Sequence, residues 1–432
     1  MMAQLDSPSH LSWLARESDR LISFFSVSEC DASARFLWLD DHGRPDRSRP
    51  EQLYAVARLV HCFSIEHILG RPGAGEWARA GIDRLHARFL DPTHGGFFAA
   101  VGFDGTVVSD RKETYGHAFA LLAGVTAMRA GIAGGQELFE HARDVFDIRL
   151  WEEQHETALE SCARDWSSTE DYRGQNGNMH LTEAYLAAFE ATGEEVFAER
   201  AERIAERLVL KNAPAYEWRI PEHYTARWEV DPQYAADRPN DPFRPFGTLI
   251  GHSFEWSKLL LQLHALRPSV DWAADAARNL FDQAMADGWD AERGGLSYSV
   301  DFDGTPINTS RMHWAIAEAI GAALWLFRTT SEARYRDWYV ELWRYAELNV
   351  LDLENGSWWH ELDDRNNPAS TTWDGKPDLY HAWQATFYAR VQGNLGIAEA
   401  ALRGAVANRT ETTAEPLRDE TGPRAHTETR DP

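Results

Sequence analysis

The sequence predicts an all-α protein, a closed (α/α)6 barrel with short β-hairpins in the loops of one face. Three observations carry this expectation: an internal repeat, two alternating kinds of helix, and a consistent asymmetry of loop length. The repeat shows when DPTHGGFFAAVGFDGTVVSDRKETYGHAFALLA, from Asp91, is set beside DAERGGLSYSVDFDGTPINTSRMHWAIAEAIGA, from Asp290. Both hold a GG pair, an alternating apolar stretch, FDGT, a basic residue, an aromatic and then a helix of small residues. A looser copy, LENGSWWHELDDRNNPASTTWDGKPDLYHAWQATFYA, starts at Leu353. The GG and NG pieces with their flanking aromatics read as hairpins, with DG or DD at the turn.

Extending the comparison gives six helices rich in small and apolar residues, beginning near Pro50, Lys112, Gly177, Thr248, Arg311 and Asp378. They recur about every 60 to 70 residues, the period of a repeat architecture. Being apolar nearly all round, they belong inside. Before each lies a loop of about 20 to 40 residues, and before that a charged amphipathic helix. EVFAERAERIAERLVL from Glu195 and EARYRDWYVELWRYAELNV from Glu332 are examples, each with one wet face, so these belong outside. Links from an inner helix to the next outer one are short, as in LGRPGAGE from Leu69 and ATGEE from Ala191.

Such hairpins close into a double ring; an open helical solenoid is the alternative. In the ring, every long loop gathers on the face where the N-terminal ends of the inner helices converge. Long loops in a compact domain usually carry function. One domain is expected over residues 1–405, with 406–432 a polar tail rich in Thr, Glu and Arg, expected to be disordered.

Composition narrows the function. A hydrophobic fraction of 44% supports a large core, and no run of about 18 apolar residues suggests a membrane span. The opening MMAQLDSPSH lacks a basic start and an apolar stretch, so no signal peptide is expected. Cys30, Cys62 and Cys162 have no disulfide-like or metal-like spacing and fit small buried thiols of a reduced, cytoplasmic protein. A formal net charge of -25 disfavours nucleic acid. The 18 tryptophans and 13 tyrosines exceed core filling and suit a pocket for the flat C–H faces of sugars.

The first turns of the inner helices supply the candidate residues. They are Tyr54 and Arg58 in LYAVAR, Tyr115 and His117 in KETYGHAF, and Asn176 and His180 in NGNMHLTEAY. His252 and Glu255 follow in GHSFEWSKLL, with Arg244 in the FRPFG before them. His313, Trp314 and Glu318 come from RMHWAIAEA, and Tyr380, His381 and Gln384 from DLYHAWQA. Imidazole recurs at equivalent places in three distant helices, at His180, His252 and His381. With an ordinary pKa of about 6.5 it accepts and donates protons near neutrality. Nearby helix N-termini disfavour the imidazolium and leave a base.

Glu255, three residues after His252, is placed to orient it or pair with it. Tyr115 and Trp314 match in the repeat and read as wall or sugar platform, which leaves His117 and His313 as weaker candidates. Glu318, facing inward from an apolar helix, either pairs with an arginine or contacts ligand. His42, His61, His67, His86 and His94 have no repeat support and read as structural or exposed. HExxH, HxH and a compact carboxylate cluster are absent, as are GxGxxG after a strand and GxxxxGK[ST]. No metal and no nucleotide cofactor are expected.

YRGQNGNMHLTEA, GHSFEWSKLLL, KETYGHAFALLA and DLYHAWQA together resemble the N-acylglucosamine 2-epimerase superfamily, and within it the mannose isomerase and sulfoquinovose isomerase branch. The resemblance runs over about residues 10 to 400 and implies an (α/α)6 barrel. It also implies chemistry at C1 and C2 of a reducing sugar without metal or nucleotide. By motif, His252 and His381 match the acid/base pair. His180 and Asn176 match substrate contacts, Arg58 an inner-helix arginine and Glu255 the glutamate of GHxxEW. Arg244 is less firmly matched, because Arg238 competes for its role.

The implied reaction opens the pyranose, removes the C2 proton and stabilises a cis-enediolate through Arg58, His180 and Asn176. His381 is favoured as the carbon base and His252 for ring opening. Return of the proton to C1 gives a ketose; return to the opposite face of C2 gives the epimer. Interconversion of free D-mannose and D-fructose is the leading expectation. The alternatives are a cellobiose or N-acylglucosamine 2-epimerase, a sulfoquinovose isomerase, an inverting glycoside hydrolase and a non-enzymatic sugar-binding protein. The hydrolase needs two inward carboxylates about 6.5–9.5 Å apart, for which only Glu255 with Glu318 or Asp165 with Asp171 are available. The loops 211–247 and 351–377 have the length and turn content of a lid.

Overall fold

The computed structural model describes residues 5–26, 35–393 and 395–407. Cys30 and the tail from 408 onward lie outside them. Val406 pairs with Val391, and the Ala407 N–H donates to Arg390 O, so residues 406–407 are pinned to the barrel.

Thirteen α-helices occur among the described residues. The inner ring is α2 (Leu53–Ile68), α4 (Thr114–Arg129), α6 (Gln175–Thr192), α8 (Ile250–Leu266), α10 (His313–Thr330) and α12 (Tyr380–Tyr388). Their starts fall within three residues of the expected ones. The outer ring is α1 (Pro8–Phe25), α3 (Ala74–Arg84), α5 (Gly135–Val145), α7 (Glu195–Ala205), α9 (Trp272–Gly288) and α11 (Ala333–Tyr345), and a short α13 (Ile397–Leu402) follows. Inner helices are buried on nearly every side, whereas each outer helix buries one stripe. Small residues let the rings close on each other. A Cβ at Gly124 in α4 would lie 2.5 Å from the Phe139 backbone nitrogen of α5, so only glycine fits there.

The ring is closed. Trp383 of α12 donates its indole N–H to Glu66 of α2 at 2.8 Å, joining the last inner helix to the first. Outside them, α1 bridges the gap: His10 Nε2 lies 2.8 Å from the Tyr339 hydroxyl of α11, and Ser18 reaches Glu66 at 3.3 Å. An open solenoid would leave these end helices apart.

The hairpins form as expected. Ala100 and Val101 pair with Ser109 and Val107 around Asp104-Gly105, and Ser299 and Val300 with Asn308 and Pro306 around Asp303-Gly304. The third copy turns at Asp363, whose N–H donates to Asn367 O at 2.8 Å. Each two- or three-residue strand leading into an inner helix pairs with a strand of the following long loop. Glu51–Gln52 joins Ala100–Val101, Lys112–Glu113 joins Ser161–Cys162, and Tyr172–Gly174 joins His223–Thr225. Thr248–Leu249 joins Ser299–Val300, and Arg311–Met312 joins Glu361–Leu362. The funnel face is thus stitched from loop to loop.

The basic residue of the repeat has a structural task. Lys112 donates to Asp91 at 3.1 Å with both side chains fully buried. Arg311 meets Asp290 at 2.7 Å and Lys376 meets Asp352 at 2.5 Å in the matching places. Each pair ties the end of an outer helix to the segment leading into the next inner one. Replacing Lys112 by alanine leaves Asp91 buried with the half-exposed Arg164 as its remaining charged partner, beside the N–H groups of Thr93 and His94. A loss of about 3 kcal/mol is expected, read as a lower midpoint in urea unfolding. An unchanged midpoint would show that the pair contributes nothing.

Candidate active site

A cavity of about 870 Å³, open to solvent, sits where the inner helices begin. Its wall includes Tyr54, Arg58, Tyr115, Asn176, His180, His252, Glu255, Trp314 and His381. With His313, ten of the fifteen sequence candidates therefore meet in one place.

The way the helices start explains why. Side-chain N-caps are absent from all six inner helices. In five of them the first backbone N–H instead donates to a carbonyl of the next long loop. Leu53 reaches Ala99 O, Thr114 Glu160 O, Gln175 Glu222 O, Ile250 Tyr298 O and His313 His360 O, all at 2.9 to 3.2 Å. The loop residue so fixed stands at the funnel floor, and three of the five reach the site. Tyr298 and His360 line the cavity, and Glu222 orients a histidine.

Each of the three histidines faces a carboxylate. Nδ1 of His252 lies 2.9 and 3.0 Å from the oxygens of Glu222. Glu222 also accepts from Gln175 Nε2 at 2.8 Å and the Leu249 N–H at 3.2 Å. Burial pushes the Glu222 carboxyl up, but His252 and Gln175 outweigh it and hold it below the usual range. His381 Nδ1 lies 2.9 Å from Glu318, which Lys258 holds from its other oxygen at 2.5 Å. Burial raises Glu318 and Lys258 with His381 pulls it below the usual range, so the carboxylate stays charged. Burial also lowers His381, outweighing Asp378 and Glu318, and keeps its ring neutral. Among the described residues, Nε2 of neither His252 nor His381 has a hydrogen-bond partner, so each ring keeps a free nitrogen at the cavity.

His180 differs. Its Nδ1 is shared between Glu255 at 3.4 Å and Glu183 at 3.5 Å, and burial drives its pKa down to about 3. Glu255 is raised well above the usual carboxylate range by burial and by the charge of Glu318, so it carries a proton. The fold thus assembles from α6 and α8 the compact cluster that no local motif announces: His180, Glu183 and Glu255 bring ligand atoms within 4.8 Å of one another. Glu183 is engaged by the Tyr380 hydroxyl, and the proton on Glu255 opposes cation binding.

Arg58 provides the positive charge. Its guanidinium donates to Asp378 at 3.2 Å and to the Tyr115 hydroxyl at 2.9 Å, and lies over the rings of Phe119 at 4.2 Å and Tyr380 at 4.9 Å. Aromatic faces and a carboxylate hold a cation that burial alone would disfavour. Asp378 also accepts from His313 Nε2 at 3.2 Å. Trp314 is close to both bases, its ring 5.2 Å from His252 and 5.9 Å from His381. It rests on Gly251, where a Cβ would run into the indole. Asn176 Oδ1 is shielded and unpartnered. Phe243 and Trp373, from the two long candidate lid loops, meet edge to face at 5.2 Å over the opening.

Four expectations need correction. Glu255 does not pair with His252; it serves His180, because successive turns of α8 point it at α6. Glu318 does not line the cavity but lies behind His381, and its cation is Lys258, not an arginine. Arg244 is drawn away by Glu170 at 2.7 Å and Glu160 at 3.1 Å and stacks on Tyr172, while its neighbours Pro242 and Phe243 form wall. Gln384, one turn beyond His381, accepts from Tyr388 at 3.0 Å and lines a second cavity at the far end of the barrel. Of the weaker histidines, His117 is structural: Nε2 accepts from the Phe97 N–H and Nδ1 faces Glu113 O. His313 is wall, stacked on His360 with ring centroids 3.9 Å apart. Asp165 and Asp171 are exposed, and Glu318 is screened from the cavity, so neither hydrolase carboxylate pair forms.

The profile of the N-acylglucosamine 2-epimerase family matches residues 35–385. A D-mannose isomerase of Thermobifida fusca is 42% identical over 381 residues, covering 88% of this chain and 93% of its own. A second, of Pseudomonas cannabina pv. alisalensis, is 40% identical over 388 residues, covering 88% and 93%. A crystal structure of D-mannose isomerase superposes with a TM-score of 0.82 at 29% identity, over 87% of this chain and 97% of that one. With the barrel and its cavity of oriented histidines in place, the chain belongs to the N-acylglucosamine 2-epimerase family.

Proposed function

We propose that this protein is an aldose–ketose isomerase that interconverts free D-mannose and D-fructose in the cytoplasm, as a single catalytic domain with a polar tail. The observation that carries the reading is the pair of carboxylate-oriented imidazoles, His252–Glu222 and His381–Glu318, beside Trp314 in one cavity. The names of the two relatives at 40–42% identity support the sugar. Among the described residues, no helix is long and apolar enough to cross a membrane.

The chemistry follows from the geometry. His252 transfers a proton between the anomeric hydroxyl and the ring oxygen, and the pyranose opens to an aldehyde at C1. Nε2 of His381 takes the C2 proton; the C–H electrons form the C1–C2 double bond, and the carbonyl electrons move to O1. Arg58, near His381, stabilises the enediolate, with Asn176 and His180 as hydrogen-bonding partners. His381 returns its proton to C1 while the O2 proton passes to O1, giving the C2 ketone and the C1 hydroxyl. Epimerisation needs a base on each face of C2. His381 alone is assigned to the carbon, with His252 kept for ring opening, which gives the one-base outcome.

Incubation with mannose in deuterated buffer containing chelator, followed by NMR, is expected to give fructose with deuterium at C1. A changed C2 configuration without ketose would make the protein an epimerase. Because burial lowers His381 below 6.5, the base is already free at neutrality. The value of kcat/KM should fall on the acid side with a midpoint below pH 6.5. An acid limb centred at or above pH 6.5 would contradict the neutral imidazole.

A further inference from the structure

On the outer wall, away from the funnel, two consecutive hairpins bring together His86, Glu137 and His141. His86 lies in the wide turn, residues Leu85–Phe89, that ends the first of these outer helices, α3. Glu137 and His141, four residues apart on α5, share one helical face. One nitrogen of each imidazole and one Glu137 oxygen lie within 4.8 Å of one another. The rings cross at 75° with centroids 6.1 Å apart. Nε2 of His86 and Nδ1 of His141 are shielded from solvent yet have no hydrogen-bond partner among the described residues. Shielded imidazole nitrogens ordinarily find a partner, since leaving them bare forfeits their hydration. The nearby cation Arg79 is taken by Asp83 at 2.9 Å, so it leaves the Glu137 carboxylate available.

We propose that His86, Glu137 and His141 bind a divalent transition metal of the zinc class, tying α3 to α5. Two imidazoles and one carboxylate suit zinc(II), cobalt(II) or nickel(II), whereas magnesium and calcium want oxygen alone. Ligands of a tetrahedral zinc, each about 2.1 Å from the ion, stand about 3.4 Å apart, so the side chains need close by at most about 1.4 Å. Solvent completes the coordination. None of the three residues lines the catalytic cavity, and the ion fastens neighbouring hairpins of the barrel without entering the reaction. It stabilises because it binds the folded chain and has no such site in the unfolded one.

The test uses full-length protein stripped with chelator and then dialysed. Zinc chloride is titrated by calorimetry, and cobalt(II) is followed by its visible absorption, on wild type, H86Q and H141Q. Wild type should bind one zinc at this wall, raise its Tm by about 2 °C or more at saturation, and show cobalt bands of a four- or five-coordinate site. H86Q and H141Q should each lose that equivalent, the Tm rise and the bands while keeping full sugar turnover. Zinc taken up at His180, Glu183 and Glu255 is told apart because it inhibits turnover and survives both substitutions. Equal stoichiometry and equal cobalt spectra in wild type and H141Q overturn the proposal, as does no binding to wild type below about 100 µM zinc.

Discussion

Replacing His381 by alanine is expected to lower kcat for mannose by about 10³-fold, with KM changed severalfold at most and the fold retained. Positioned general acid–base groups contribute about 10²- to 10⁴-fold, and His381 combines the features that place it in that range. Its Nδ1 is anchored on Glu318, itself held charged by Lys258, so the ring is fixed in one tautomer with Nε2 free at the cavity. Burial keeps it unprotonated at neutrality. The substitution removes a base from a wall whose backbone is set by α12, and Tyr380 and Trp383, both fully buried, keep that helix seated. Melting within a few degrees of wild type, together with loss of deuterium uptake at C1, would separate lost chemistry from lost structure. Activity within tenfold of wild type would remove His381 from the proton transfer. The charged Lys258–Glu318 pair left behind would then be a purely structural feature of the barrel interior.

The sequence spoke clearly wherever a residue type recurred at a fixed place in the repeat. Alternation of apolar and one-sided helices sufficed for the double ring, and imidazole at three matching helix starts pointed to His180, His252 and His381, which line one cavity. It was silent where function rests on residues whose type changes from copy to copy. Glu222, Tyr298 and His360 occupy one repeat position, each giving its carbonyl to the next inner helix. Because that position reads Ala99, Glu160, Glu222, Tyr298 and His360 in turn, chemical type could not reveal it; aligning the loops on the hairpin bridges would have. Asp378 escaped notice as the apparent first residue of a helix, yet it joins Arg58 to His313. The misplacements of Glu318 and Gln384 share one cause. On a helix buried all round, one turn of depth separates the cavity from the layer beneath it, and periodicity does not report depth. Arg244 failed for a different reason: two loop glutamates captured it, and loop partners have no period to read.

Arginine 58 offers the second large effect. Arg58→Ala is expected to lower kcat by about 10²- to 10³-fold, the range for removing a preorganised group that meets developing negative charge. The reacting sugar is neutral in the ground state and gains charge at O1 and O2 only as the enediolate forms. Loss of the guanidinium should therefore appear in kcat more than in the affinity for mannitol, which has the hydroxyls but cannot react. Arg58→Lys separates charge from shape. Lysine keeps the charge but loses the planar contact with Phe119 and Tyr380 and the fork that reaches both Asp378 and Tyr115. It is expected to recover no more than about tenfold of the alanine loss. If mannitol affinity and kcat fall together in both variants, Arg58 holds ground-state hydroxyls and the enediolate charge is met elsewhere. Full rescue by lysine would make charge alone sufficient and the aromatic box dispensable for catalysis. The split between kcat and affinity thus decides whether the cation packed among the rings of Tyr54, Tyr115, Phe119 and Tyr380 is there for the substrate or for the intermediate.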